Sequence, residues 1–381
     1  MSRLNPIIRS LGKLVLIHFI GMVVLATAQS KVDWPVFRGD PQLSGKAEGS
    51  MADKYELAWS YDTGEPIKSS PVMSHGIAYI ASTDGWLHAF DLQSGELLWS
   101  FENEYPFEAS PMIFNATLLI GSLEGIMYAL DAVSGKLLWK FVTEGQIIGS
   151  ANIVEGQPPR IVFGSYDNYL YCLDLKTGKE FWKYQTTHFI NGAPAVDATR
   201  IIFGGCDAML HTISPSSGEE IRSRDLVVYI AASPAIEDNR IYVGTYGGQM
   251  FCLEGESDQI LWKYESGEDA APILSSPAIG VSKLFFGSRD NYLYCLNKNT
   301  GRQIWSYQTQ GEIDSSPVIW GDRVLFASKD GVLYLHNSNS GEHIWPYDLG
   351  SPLISSPAVS GKYILIGSQA GLLYTFTASG K

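Results

Sequence analysis

Histidine and cysteine are scarce in this 381-residue sequence, at 7 and 4 residues, and neither is arranged for chemistry. No HxH or HExxH pair occurs, which excludes the common short-spaced zinc sites. No two cysteines are adjacent or form a CxxC pair, and no nucleophile elbow or Walker loop is present, so no self-sufficient catalytic set can be assembled. Positive charge is also in deficit. Lys and Arg number 27 against 40 Asp and Glu, and the net charge of −13 counts against nucleic acid or anionic membrane surfaces as partners.

Long apolar runs are missing except at the start. Arg3, Arg9 and Lys13 precede a stretch from Leu14 to Leu25, and Ala26-Thr27-Ala28 supplies the small residues of a cleavage site. The run is short for a membrane span, so residues 1–28 read as an export signal with the mature chain starting at Gln29. Loss of three positive charges takes the mature protein to −16. No cysteine lies beside the cleavage site, so no N-terminal lipid is expected. These features place the protein in the periplasm or outside the cell, peripheral to the outer membrane at most.

What the sequence has in abundance is repetition. A small residue followed by proline recurs at Pro71, Pro111, Pro194, Pro234, Pro277, Pro317 and Pro357, with Ala151 in the same slot, at intervals of 40 to 43 residues. Gly95, Gly135, Gly178, Gly218, Gly301 and Gly341 follow Ser or Thr near the end of most copies. Trp99, Trp139, Trp182, Trp305 and Trp345 stand four residues after such a glycine, and Trp262 keeps its place where Asp258 replaces the glycine. Within the sixth copy, Pro277–Ile279, Lys283–Ser288, Tyr292–Asn297 and Arg302–Tyr307 are β-branched and aromatic runs separated by turn residues. Four short strands per period of this length, without apolar residues at helical spacing, predict an all-β, eight-bladed β-propeller of four-stranded antiparallel blades.

The last copy ends after its third strand, whereas "LAWSYDTG" (Leu57 to Gly64) is a fourth strand with no first three before it. The N-terminal strand is therefore expected to pair with Leu372 to Phe376 and close the ring without leaving open edges. The resulting organisation is a signal over 1–28, a leading segment over 29–54 and a propeller over 55–381, expected to be monomeric.

The segment "ALDAVSGKLLW" (Ala129 to Trp139) resembles the tryptophan-docking motif of the pyrroloquinoline-quinone-type propeller repeats, and recurs around Trp99, Trp182, Trp305 and Trp345. Trp59, Trp99, Trp139, Trp182, Trp262, Trp305 and Trp345 are then structural docking residues, each indole packing across a gap onto the neighbouring blade. "DWPVFRGDPQLSG" (Asp33 to Gly45) is similar to the opening segment of many bacterial members. The resemblance implies two kinds of function. One branch holds a quinone and calcium in the axial funnel, but its members are longer and carry a vicinal cysteine pair that this chain lacks. The other is compact and exported, is typified by the BamB-like propeller of the outer-membrane β-barrel assembly machinery, and does no chemistry. Length and architecture favour a non-catalytic scaffold binding protein partners, with that machinery as the implied partner and without cofactor. The alternatives are a quinone-and-calcium redox protein and a carbohydrate- or peptide-binding module.

Candidate sites come from comparing copies. Two residues before the small-residue mark the position is always apolar (Ile67, Phe107, Ile147, Ile190, Ile230, Ile273, Ile313, Leu353). The next varies as Lys68, Glu108, Ile148, Asn191, Ala231, Leu274, Asp314 and Ile354. The variable column is expected at the funnel, where Glu108, Asn191 and Asp314 are oxygen ligands of the kind calcium uses and Lys68 could meet an anion. The acidic turns Asp84, Glu124, Asp167, Asp290 and Asp330 read as hairpin residues. Cys172, Cys252 and Cys295 share one repeat slot and read as buried core residues, and Cys206 is assigned no role. Copy four has Arg222 in the tryptophan slot, so the docking contact is expected to be lost there. Arg222, Arg224 and Tyr229, with Tyr105, Phe107 and Phe189 in neighbouring loops, are the candidate partner-binding residues.

Overall fold

The computed structural model describes residues 33–379 except 258, 268 and 269. The export signal expected over residues 1–28 lies outside the described residues. Every regular element among those described is a β-strand, and none of them is a helix able to cross a membrane.

The strands form eight sheets, each built on four antiparallel strands; in seven of them these run in sequence order from the axis outwards, and the eighth takes its outer strand from the start of the described chain. The sixth blade has Ala278–Ile279, Lys283–Gly287, Tyr292–Asn297 and Gln303–Gln308, within a residue or two of the sequence expectation. The eighth blade closes as expected. Its outer strand is Tyr55–Asp62, which pairs Leu57 with Phe376, Trp59 with Thr375 and Tyr61 with Leu373.

Two columns of small-to-large contacts hold the blades together. Indole Nε1 of Trp59, Trp99, Trp139, Trp182, Trp262 and Trp305 donates to a backbone carbonyl of the next blade at 3.0–3.3 Å. The docking glycines lie beneath these rings at positive φ. A Cβ on Gly135 would stand 2.6 Å from Trp99, so no larger residue fits. Nearer the axis the invariant apolar column is fully buried, each side chain pressed on the glycine or alanine that ends the second strand, as Ile147 is on Gly121.

The acidic turns serve these hairpins. Asp167 accepts the Tyr169 amide at 3.1 Å and the Tyr171 hydroxyl at 2.7 Å, and Asp290 and Asp330 repeat the pattern. Cys172, Cys252 and Cys295 are free and buried, and burial pushes their thiols up to about 12, about 11 and about 12.

The leading segment has a role that its sequence did not disclose. From Trp34 to Gly45 it runs beneath the ring and touches the inner strands of blades one to seven in turn. Trp34 exchanges both backbone bonds with Met73. Its carbonyls then accept Ile113 N (from Pro35), Val196 N (Pro41), Ile236 N (Gln42), Ile279 N (Ser44) and Ile319 N (Gly45) at 2.7–2.9 Å. Blade three joins through Asn152 Nδ2, which donates to Pro41 O at 2.7 Å. Lys46–Ala47 finally adds a parallel fifth strand to blade seven.

Candidate functional site

The inner strands leave the leading segment at one end and open at the other into a cup of about 180 Å³. Its wall carries seven of the eight residues of the variable column: Lys68, Ile148, Asn191, Ala231, Leu274, Asp314 and Ile354, with Phe37 of the leading segment also in the lining. The variable column therefore faces the axis, as expected from the repeat.

Its charges are already paired. Lys68 Nζ donates to Glu108 Oε1 at 2.6 Å. Asp314 accepts Arg289 Nε and Nη2 at 2.8 and 2.9 Å and lies 2.7 Å from Lys329 Nζ. Although burial opposes it, those two cations hold the Asp314 carboxyl below the usual carboxylate range. Asn191 Nδ2 meets Cys206 Sγ at 3.1 Å. Glu108 is absent from the lining that holds Asn191 and Asp314, and no group of three His, Cys, Asp or Glu residues able to hold a metal ion occurs among the described residues.

Around the cup, each inter-blade loop is tied to the following hairpin by one backbone bond. Cys206 N donates to Phe189 O at 2.9 Å and Tyr246 N to Tyr229 O at 2.8 Å, while Tyr166 N donates to Gln146 O at 2.9 Å. This bond brings variable loop positions side by side. Over blades three to five they form an aromatic arc of Tyr166, Phe189, Tyr229 and Tyr246. Tyr166 and Phe189 stack 4.8 Å apart at 2°, and Phe189, Tyr229 and Tyr246 are 38%, 58% and 48% exposed. Beside Tyr229, Val227 is 82% exposed and sits at φ 69, a conformation that a β-branched residue rarely adopts; Gly64 and Gly350 take it in the corresponding loops.

The expected partner residues divide accordingly. Phe189 and Tyr229 belong to the arc, Tyr105 is exposed in the loop after blade one, and Arg224 is exposed on the outer strand of blade four. Phe107 is corrected: it is fully buried because it occupies the invariant apolar slot, edge-on to Tyr128. Arg222 is corrected as well, since its docking contact is kept. Arg222 Nη2 donates to Gly255 O at 2.7 Å, the bond that indoles make elsewhere, 33 residues along the chain. Tyr166 and Tyr246 escaped the sequence reading. The signal was available in the hairpin column Thr83, Leu123, Tyr166, Cys206, Tyr246, Arg289, Lys329 and Gln369, which lies beside the loop column.

The Arg222 contact explains a second irregularity. Asp258, outside the described residues, holds the sequence position of the docking glycine in the next repeat, and at the docking glycines that are described, such as Gly135, a Cβ would leave the indole no room. A guanidinium carries the same hydrogen bond on a more slender side chain. Arg222→Trp should therefore destabilise the protein by roughly 1–3 kcal/mol through overpacking, and adding Asp258→Gly should restore most of it. A double-mutant cycle in urea reads the coupling; additive effects would contradict the compensation.

The family model described as "Beta-alanine-activating enzyme, beta-propeller" matches residues 107–334, and that described as "Outer membrane protein assembly factor BamB" matches residues 50–107. None of the curated proteins matches. Among solved structures, BamB from Moraxella catarrhalis is similar at 19% identity and a TM-score of 0.73, over 86% of this chain and 99% of that one. Quinohemoprotein alcohol dehydrogenase from Comamonas testosteroni is similar at 14% identity and a TM-score of 0.79, over 92% and 81%. The computationally designed Ika8 protein is similar at 15% identity and a TM-score of 0.74, over 85% and 100%. At these identities the likeness is one of fold, shared by a non-enzyme and an enzyme.

Proposed function

Because the chain belongs to the PQQ-like β-propeller family, whose matching descriptions name the propeller of the beta-alanine-activating enzyme and the assembly factor BamB, we propose that it is a non-catalytic, exported scaffold. Its loop face holds a protein partner in a BamB-like role in outer-membrane β-barrel assembly. The observation that carries this reading is the aromatic arc. Three of its rings are exposed and an 82%-exposed valine in a strained conformation flanks Tyr229, while Tyr166 stacks on Phe189 and Tyr246 is bonded through its backbone to Tyr229. Aromatic side chains supply large contact area at low entropic cost, and strain kept on a surface loop points to a role other than stability. Export is supported by the N-terminal pattern over 1–28.

The residues present do not fit the quinone and calcium of the redox reading. The cup holds about 180 Å³, below the roughly 300 Å³ at which cofactor-sized pockets begin. The acids proposed as calcium ligands are spent on Lys68, Arg289 and Lys329, and no adjacent cysteines line the axis.

Tyr229→Ala with Tyr246→Ala tests the proposal. Capture of the barrel-inserting subunit from a crosslinked envelope fraction should fall about tenfold or more, since paired hot-spot truncations cost 2 kcal/mol or more. Undiminished capture would remove the arc from the interface.

A further inference from the structure

We propose that the cup is a seat for a small oxyanion of carboxylate or phosphate size. It is lined by serines from seven blades: Ser70, Ser110, Ser150, Ser233, Ser276, Ser316 and Ser356. All are at least nine-tenths buried, at 2–8% exposure. Six use the hydroxyl oxygen in the same way, as acceptor for a backbone N–H of the preceding blade. The donors are Ser356 N to Ser70, Ser70 N to Ser110, Ala193 N to Ser233, Ser233 N to Ser276, Ser276 N to Ser316 and Ser316 N to Ser356, at 2.8–3.1 Å.

A hydroxyl that accepts still has one proton to give. None of these six donates to a protein acceptor among the described residues, whereas the seventh, Ser150, gives its proton to Ala151 O at 3.1 Å. Six buried O–H donors thus line one small volume with nothing in the protein to receive them, and leaving such donors unmet is costly. The mouth does not oppose an anion by net charge, because Lys68 is matched by Glu108, and Asp314 and Glu312 are matched by Arg289 and Lys329. A compact acceptor-rich group meets several of these donors at once. A neutral apolar ligand meets none.

The same chemistry can arrive as a free anion or as the terminal carboxylate of a protein, and two experimental arms separate them. In the first, the full mature chain is titrated calorimetrically with acetate and with inorganic phosphate at fixed ionic strength. Saturable binding is expected. Ser276→Ala with Ser316→Ala should weaken it about tenfold or more, because hydrogen bonds to a charged group are stronger than those between neutral groups. The pair also removes two inter-blade acceptors, so a second variant guards against a folding defect: Ala193→Ser adds a hydroxyl in the one blade that lacks it and should tighten binding about threefold. In the second arm, a short peptide with a free C-terminus displaces acetate where its amide does not if the source is a protein terminus; displacement by neither assigns the seat to free anions. Absence of saturable binding, or an adventitious ion only, with an affinity that neither variant changes, would overturn the proposal. Because the readout needs no partner protein, it is independent of the scaffold reading.

Discussion

Deleting residues 33–48 is expected to leave a chain that does not reach the native fold. The segment closes no blade, yet it supplies hydrogen bonds to seven of them and buries Trp34, Val36, Leu43 and Ala47 beneath the ring. It also provides a backbone carbonyl, Glu48 O, for Trp320 Nε1 at 2.7 Å. Net hydrogen bonds of about 1 kcal/mol each and buried large side chains of about 1.5–3 kcal/mol each sum to order 10 kcal/mol. That is comparable with the whole stability of an ordinary domain, about 5–15 kcal/mol. Urea unfolding followed by tryptophan fluorescence should show a non-cooperative or absent transition. A cooperative transition with a midpoint within about 1 M of the parent would mean that the segment only decorates a ring that stands alone.

Acid should weaken the fold in a window set by one histidine pair. His336, fully buried in blade seven, has Nδ1 against Gly341 O at 3.1 Å and Nε2 against His343 Nδ1 at 3.1 Å. A carbonyl can only accept, so His336 carries its proton on Nδ1 and takes one from His343 on Nε2. Protonating it would bring two N–H groups together in an apolar surround of Tyr307, Tyr334 and Phe326. Burial therefore lowers the His336 imidazole to about 4 and lowers those of His343 and His88 as well.

The unfolded chain takes up these protons near pH 6.5 and the native chain resists until about 4 for His336. The histidine contribution to stability is therefore fully present above pH 6.5, falls as pH drops from 6.5 towards 4, and levels off below. For His336 the loss is at most about 3 kcal/mol. Asp91, Asp131 and Asp314, whose carboxyls are held low, add their losses only as pH falls below the ordinary carboxylate range. His336→Phe should flatten the upper part of this profile while lowering stability evenly through the orphaned Gly341 carbonyl. A slope between pH 6.5 and 4.5 identical to the parent's would contradict the assignment.

The repeat made the fold legible because each copy states the same physical problem. One glycine must lie under one indole, one apolar side chain must press on the end of the second strand, and a fourth strand without a blade must find the blade without a fourth strand. The same comparison separated the buried column from the column that lines the cup. What it could not show depended on contacts with no residue signature. The leading segment bonds to backbone N–H groups, which every blade offers whatever its sequence. The Arg289–Asp314–Lys329 pairing joins a hairpin to a loop of the next blade. Arg222 implies a lost docking contact when the indole slot is defined by residue type, whereas the blade requires only a donor that reaches the next carbonyl. Phe107 was read in two ways, and its repeat slot was the better guide than its aromatic character.

The central claim is that the aromatic arc is the face that meets a protein. A photo-crosslinking residue placed in turn at Tyr229, at Tyr246 and, as a control, at Val281 tests it most directly. Val281 is 87% exposed in the hairpin between the first two strands of blade six, on the side of the leading segment. In living envelopes the account predicts crosslinks to the barrel-inserting subunit from the two arc positions and none from Val281. Crosslinks from Val281 alone, or none to that subunit from either arc position, would contradict it.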